Sequence, residues 1–337
     1  MKVLFDHSMP FFLAHGGTQV QLEQTQNALT KLGIKVEPVR WWDLQQTGDI
    51  IHYLGRPNET YIQLAHKKGM RIIMAELLGG VGARSKRALA LQRLAIFGIR
   101  RVAPKTLLYR MAWESYQLID ACIALTPWEA YLMQYLFSAP KERIHVVPNG
   151  VEAHFFRSAA AARGQWLVCT STITEVKRIL EASQAAVLAQ TPLWVIGNPY
   201  AATDPYAQAF FSLVKQHPRI LRYEGAIYDR EKLAGIYREA RGFIMLSQWE
   251  SLSLSALEAA ACQCPLLLSD LPWARSIFNK QAMFCPISSP EQTAPVLKEF
   301  YEQAPKLPTP DQPKSWEEVA QNLVSIYNLV LSQGIRV

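Results

Sequence analysis

The strongest constraint in this chain is a rhythm. Short apolar runs recur between stretches of helical periodicity: KVLF (2–5), IIHYL (50–54), RIIMA (71–75), ACIAL (121–125) and IHVVP (144–148) alternate with helical segments at 18–32, 58–68, 85–118 (broken at Pro104) and 127–137. The rhythm lapses after Pro148, through PNGVEAHFFRSAAAARGQ, and then restarts with WLVCTS (166–171), LWVIG (193–197), ILRYEG (220–225), GFIML (242–246) and PLLLS (265–269). Helices are expected between these at 176–189, 205–217, 229–240 and from about 252, and then near 290–302 and 315–333. Runs of Val, Ile and Leu separated by amphipathic helices are strands buried on both faces, so they predict parallel sheets flanked by helices. The restart predicts two such α/β domains, at 1–155 and 160–315, a division that 337 residues accommodate. PKLPTPDQP (305–313) reads as an extended connector before a final helix, 316–337, that packs back on the first domain.

Composition narrows the class. Half of the residues are hydrophobic, which argues against disorder, yet no apolar run approaches the roughly 18 residues of a membrane span. The start, MKVLFDHSMPFF, lacks the long apolar core and cleavage site of a signal peptide, so a cytoplasmic location is expected. The five cysteines, Cys122, Cys169, Cys262, Cys264 and Cys285, offer one C-x-C pair with no second cluster, a poor zinc pattern, and are expected to be reduced and buried. There is no H-E-x-x-H, no D-x-D and no G-x-S-x-G, and HGGT is not a dinucleotide fingerprint, so no metal and no hydride chemistry is expected. Trp41, Trp42 and Trp249 read as packing residues.

The net charge of +7 is local. Eight Lys and Arg stand in 84–110, no Asp or Glu occurs between Leu77 and Trp113, and the remainder of the chain sums to −1. This points to one anionic partner surface rather than to general solubility, with an anionic membrane rather than nucleic acid as the expected partner of this segment. On a helix, Lys86, Arg87, Arg93, Arg100 and Arg101 share one face and Leu91, Ala95, Ile96 and Ile99 lie largely opposite. The membrane reading asks that the apolar face pack on the domain and the basic face remain outside.

The chemistry concentrates in SQWESLSLSALEAAACQCP (247–265), where Glu250 and Glu258 lie eight positions apart. In doubly wound sheets ligands sit at the carboxyl ends of strands, where helices begin. GFIML is such a strand and the helix is expected from about Leu252, so Glu250 falls on the loop and Glu258 about two turns inside. Ser251 or Ser253 would cap the helix, and the amides of Ser251, Leu252 and Ser253 would favour a phosphate. An acid on either side of that phosphate suits sugar hydroxyls at one end and a ribose diol at the other, the two ends of a nucleotide sugar.

This stretch resembles the E-x7-E motif of retaining GT-B glycosyltransferases of the family-four type. HGGTQVQLEQTQNALTKLGIKV (15–36) resembles their N-terminal glycine loop and first helix. DACIALTPWEAYLMQYL…ERIHVVPNGVE (120–152) resembles the end of the acceptor domain and the joint, and 224–270 resembles the donor-domain core. The resemblance implies two Rossmann-like doubly wound domains facing a cleft, with the donor on the second. It implies that Glu250 contacts the transferred hexose, Glu258 the donor ribose, Lys177 the diphosphate, and Gly16 and Gly17 the diphosphate through backbone amides. It further implies metal-independent transfer to a glycan or lipid-linked acceptor in polysaccharide biosynthesis, with the nucleotide sugar as co-substrate and no cofactor. Thr172 stands where the family has a second phosphate-binding arginine, and Arg178 is the replacement considered. Ala75 and Glu76 occupy the place of a histidine near the sugar, Cys264 that of a helix-ending glycine, and Ser276 that of a glutamate. The missing arginine supports an alternative, a non-catalytic peripheral membrane protein that keeps the fold. His7 and His15 flank the first loop, and Tyr228 is a candidate for the border of a base pocket.

Overall fold

The computed structural model describes residues 1–7, 16–156 and 163–334. These divide into two compact units, one made of Met1–Asn149 with the segment from Trp316 on, the other of Gly150–Ser315.

The first unit carries a six-stranded sheet of β1 (Lys2–His7), β2 (Lys35–Pro38), β3 (Ile50–Leu54), β4 (Arg71–Ala75), β5 (Ala121–Ala124) and β6 (Ile144–Val146), in the order β2-β1-β3-β4-β5-β6. The second carries β7 (Leu167–Thr170), β8 (Leu193–Ile196), β9 (Leu221–Tyr223), β10 (Gly242–Met245), β11 (Leu266–Ser269) and β12 (Met283–Cys285), in the order β12-β11-β10-β7-β8-β9. Every pairing is parallel. Strand order reverses between β1 and β3 in the first sheet and between β7 and β10 in the second, and each reversal opens a crevice at the strands' carboxyl ends.

The central strands are buried throughout because helices cover both faces: β4, β5, β8, β10 and β11 have no exposed residue. The first core is built around Ile72, Met74, Cys122, Leu132 and Phe137, the second around Val195, Ile244, Leu267, Leu297 and Phe300. All five cysteines are buried and none is bonded to another. The C-terminal helix, Trp316–Ser332, packs on helix Gly17–Lys31 and buries Val319, Leu323, Ile326 and Tyr327 in the first unit. There the Tyr327 hydroxyl lies 2.6 Å from Nδ1 of His52, and burial pushes the His52 pKa down to about 4.

Two expectations are corrected. Trp41, Trp42 and Trp249 are exposed rather than packed. Segment 84–110 forms helices Lys86–Val102 and Lys105–Met111 on either side of Pro104, but the first turns only Leu89 and Ile96 into the core. Leu91 and Ala95 face outward, whereas Arg100 faces inward, where its guanidinium donates to the Trp113 and Phe137 carbonyls and pairs with Glu114. The apolar face therefore does not simply pack on the domain. Among the described residues no helix is long and apolar enough to cross a membrane.

Candidate active site

The crevice of the second sheet lies between the loops that follow β7 and β10. These loops are joined: the Gln248 amide donates to the Val176 carbonyl at 2.7 Å. The loop after β7 also runs tightly against the loop after β8, with Ser171 N donating to Ile196 O and Ile173 N to Asn198 O. Only glycine suits position 197, because φ is +144° and a Cβ there would fall 1.9 Å from the Ser171 carbonyl oxygen. From β7 the chain makes a single 3-10 turn, Glu175–Lys177. Arg178 follows in the left-handed region (φ 53°), and only then does helix Ile179–Ala189 begin. Lys177 is thereby held before the helix rather than on it. Its ammonium donates to Oε1 of Glu250 on the loop after β10. Both side chains are mostly withdrawn from water, which strengthens the attraction relative to a surface pair.

Glu258 is held separately. Helix Leu254–Ala261 begins two residues later than its sequence suggests, with Ser253 as its cap: the Ser253 hydroxyl accepts from Ala256 N at 3.2 Å. Glu258 lies in the second turn and is buried. Arg230 donates to its Oε1 and, through Nε at 2.9 Å, to Glu152, so one guanidinium bridges two carboxylates. The same guanidinium lies 4.9 Å above the Phe155 ring. Burial raises the pKa of Glu258, and the charge and hydrogen bond of Arg230 pull it back.

Other expected residues fall in known places. Ser251 and Leu252 precede the helix, and Leu252 is buried. Thr172 is half-buried on the loop after β7. Arg178 turns toward the Ser288 carbonyl, to which it donates. Gly16, with φ +154°, caps helix Gly17–Lys31 in the first unit, and a Cβ there would meet open space. His15 lies outside the described residues. Arg230 and Glu152 escaped the sequence reading. The signal for Arg230 is its position: it is the first residue of helix Arg230–Glu239, where the helix dipole disfavours a cation, so an acidic partner is required. Among the described residues no group of His, Cys, Asp and Glu could hold a metal ion.

Two Rossmann-like units, each with a parallel six-stranded sheet flanked by helices, make this a GT-B fold, shared with the solved structures it superposes on. Residues 164–303, within the second unit, match the family model described as glycosyl transferases group 1. The D-inositol 3-phosphate glycosyltransferase of Jonesia denitrificans is 29% identical over 206 residues, covering 53% of this chain and 48% of that protein. The chain thus matches about half the length of this relative. Among solved structures, the sucrose-phosphate synthase of Thermosynechococcus elongatus superposes with a TM-score of 0.69 at 16% identity, over 98% of this chain and all of that one. A glycosyltransferase of Rickettsia africae superposes with a TM-score of 0.66 at 11% identity, covering 99% of both chains. HepE of Anabaena, solved with UDP and glucose, gives 0.62 at 11% identity over 98% of each.

Proposed function

We propose that the protein transfers a hexose from a nucleoside-diphosphate sugar to a hydroxyl of a glycan or lipid-linked acceptor, with retention of configuration. The observation that carries this reading is the Lys177–Glu250 pair at the switch point of the second sheet. A bound diphosphate competes for Lys177, whose charge offsets the negative charge that grows on the leaving phosphate. Glu250, released from its partner, accepts hydrogen bonds from the hexose and polarises it without attacking. Glu258 accepts from the ribose diol. The departing phosphate oxygen takes the acceptor's proton, so no carboxylate nucleophile is required and cation and helix amides supply the charge stabilisation without a metal. HepE of Anabaena, which shares the fold and has been solved with UDP and glucose and with UDP-glucose, supports a nucleotide-hexose donor. The reading locates the reaction in the cytoplasm, or at the inner face of the membrane when the acceptor is lipid-linked.

A second reading, donor binding without turnover, is favoured by one feature: Thr172 replaces a cation, and Arg178 is committed to the Ser288 carbonyl. A thermal-shift series with UDP, GDP, ADP and their sugars, followed by donor consumption with and without EDTA, separates the readings. A nucleotide that raises the melting temperature, with donor cleavage that persists in EDTA, supports transfer. Stabilisation without cleavage supports the second reading, and no stabilisation by any nucleotide overturns both. Complete loss in EDTA, restored by magnesium or manganese, overturns metal independence. The anomeric configuration of the product, read by NMR, tests retention.

A further inference from the structure

The outer face of helix Lys86–Val102 mixes two kinds of side chain that an ordinary solvated face keeps apart. Leu91 is 68% exposed, Leu94 67% and Val102 84%, and Lys86, Arg87 and Arg101 are exposed among them. Phe97 is exposed on the same side, beneath the Arg101 guanidinium at 4.1 Å from its centroid. The next helix, Lys105–Met111, buries none of its residues and exposes Leu107, Tyr109 and Met111 beside Lys105 and Arg110. On helix Pro127–Phe137, Trp128, Tyr131 and Tyr135 stack in a column with centroids 5.3 Å apart, and Arg93 lies over Tyr135 at 4.7 Å. An apolar ridge with a basic fringe is therefore flanked by amphipathic aromatic rings.

We propose that this face docks the first unit on an anionic lipid bilayer. Leu91, Leu94 and Val102 enter the boundary between headgroups and acyl chains, and Lys86, Arg87 and Arg101 hold lipid phosphates. Charge complementarity selects the occupant. With no acid between Leu77 and Trp113, a second copy would set one strongly basic face against another. The cores of protein interfaces are also depleted of lysine, whereas a lipid surface rearranges around interleaved cations and single apolar side chains. The proposal differs from adsorption by charge alone, because apolar burial is not screened by salt. It stands apart from the glycosyl-transfer reading and from the donor site.

The test is co-sedimentation of the full chain with phosphatidylcholine vesicles, with and without phosphatidylglycerol, at low and high salt. The parent is expected to sediment with the anionic vesicles, less at high salt but still measurably, and not with the neutral ones. Removing one basic residue near the surface lowers partitioning about fivefold, so Lys86→Ala, Arg87→Ala and Arg101→Ala together lower it on the order of 100-fold. Leu91→Ser with Leu94→Ser is expected to lower it about tenfold for each residue and to abolish the salt-resistant part. Both residues are exposed, so the melting temperature should not move. The five native cysteines are buried, so Leu94→Cys can be labelled selectively with an environment-sensitive fluorophore, whose emission shifts to the blue on anionic vesicles. A Leu91→Ser, Leu94→Ser variant that sediments like the parent, with no fluorophore shift, overturns insertion. Equal binding to neutral and anionic vesicles, or none to either, overturns the proposal. So does a parent that elutes as a dimer, with the Leu variant a monomer and neither sedimenting, which assigns the face to a second copy.

Discussion

Glu250 and Glu258 are near neighbours in sequence but have different electrostatic surroundings, and their substitutions should separate accordingly. Glu250 answers to an ammonium that a phosphate can take away, so Glu250→Gln should lower turnover and leave donor affinity nearly unchanged. Glu258 is buried and should act in binding, so Glu258→Gln should weaken nucleotide-sugar binding by about 10–150-fold, the cost of one charged hydrogen bond. Calorimetric titration beside single-turnover rates checks the split, and identical behaviour of both variants would misplace the site. Arg230 adds a pH signature. Burial already raises the pKa of Glu258 and Arg230 opposes that rise, so Arg230→Ala should raise it further. Donor affinity in that variant should begin to fall at a higher pH than in the parent as pH is lowered, read from dissociation constants across the acid range. Lys177, Glu250 and Glu258 could be singled out as candidates because a motif marks them in one dimension. Arg230 was not, because its partners lie 28 residues ahead and 78 behind and only folding brings them together.

At the scale of elements, the loop after β7 holds Lys177 in place only because the loop after β8 lets it approach. Gly197→Ala would drive a methyl into the Ser171 carbonyl at a φ that alanine avoids. The expected result is a loss of about 2–4 kcal/mol of stability, with weaker nucleotide binding as Thr172 and Lys177 shift. A melt of the variant with and without nucleotide reads both effects, and a parent-like melt would show that the loops yield. The central strands were readable from their apolar runs, and β3 and β4 fall on the expected residues. The edge strands β2 and β12 were not, because both are short and little buried: β2 (KVEP) mixes charged and apolar residues and buries none of them, and β12 is three residues long and buries only Cys285. The helix after β10 starts at Leu254 because Ser253 takes the cap, a choice between Ser251 and Ser253 that the spacing alone left open. Arg100 counted as part of a basic face on angular position, but it is spent inside the unit on carbonyls.

For the molecule as a whole, the chain leaves its first unit at Asn149 and returns to it at Trp316. His52 and Tyr327, 275 positions apart, record that return. Because the buried imidazole stays neutral down to about 4 while the unfolded chain titrates near 6.5, the unfolded state binds more protons between these values. Stability contributed by this site is therefore complete above that window and is lost as pH falls through it, by about 2 kcal/mol between about pH 7 and pH 5. His52→Asn should flatten this slope for the first unit's calorimetric transition, and an unchanged slope would assign it to other groups. The return also imposes an order of birth. Val319, Leu323 and Ile326, which seal the first core, leave the ribosome after every residue of the second unit. During synthesis the later-made half can therefore close before the earlier one, and the older half waits with its apolar seam uncovered, in reach of chaperones and proteases. A chain stopped at Ser315 should remain in that state, cut by limited proteolysis within 16–149 while 163–315 resists. Equal resistance of both halves would mean that the last helix only decorates a core already complete.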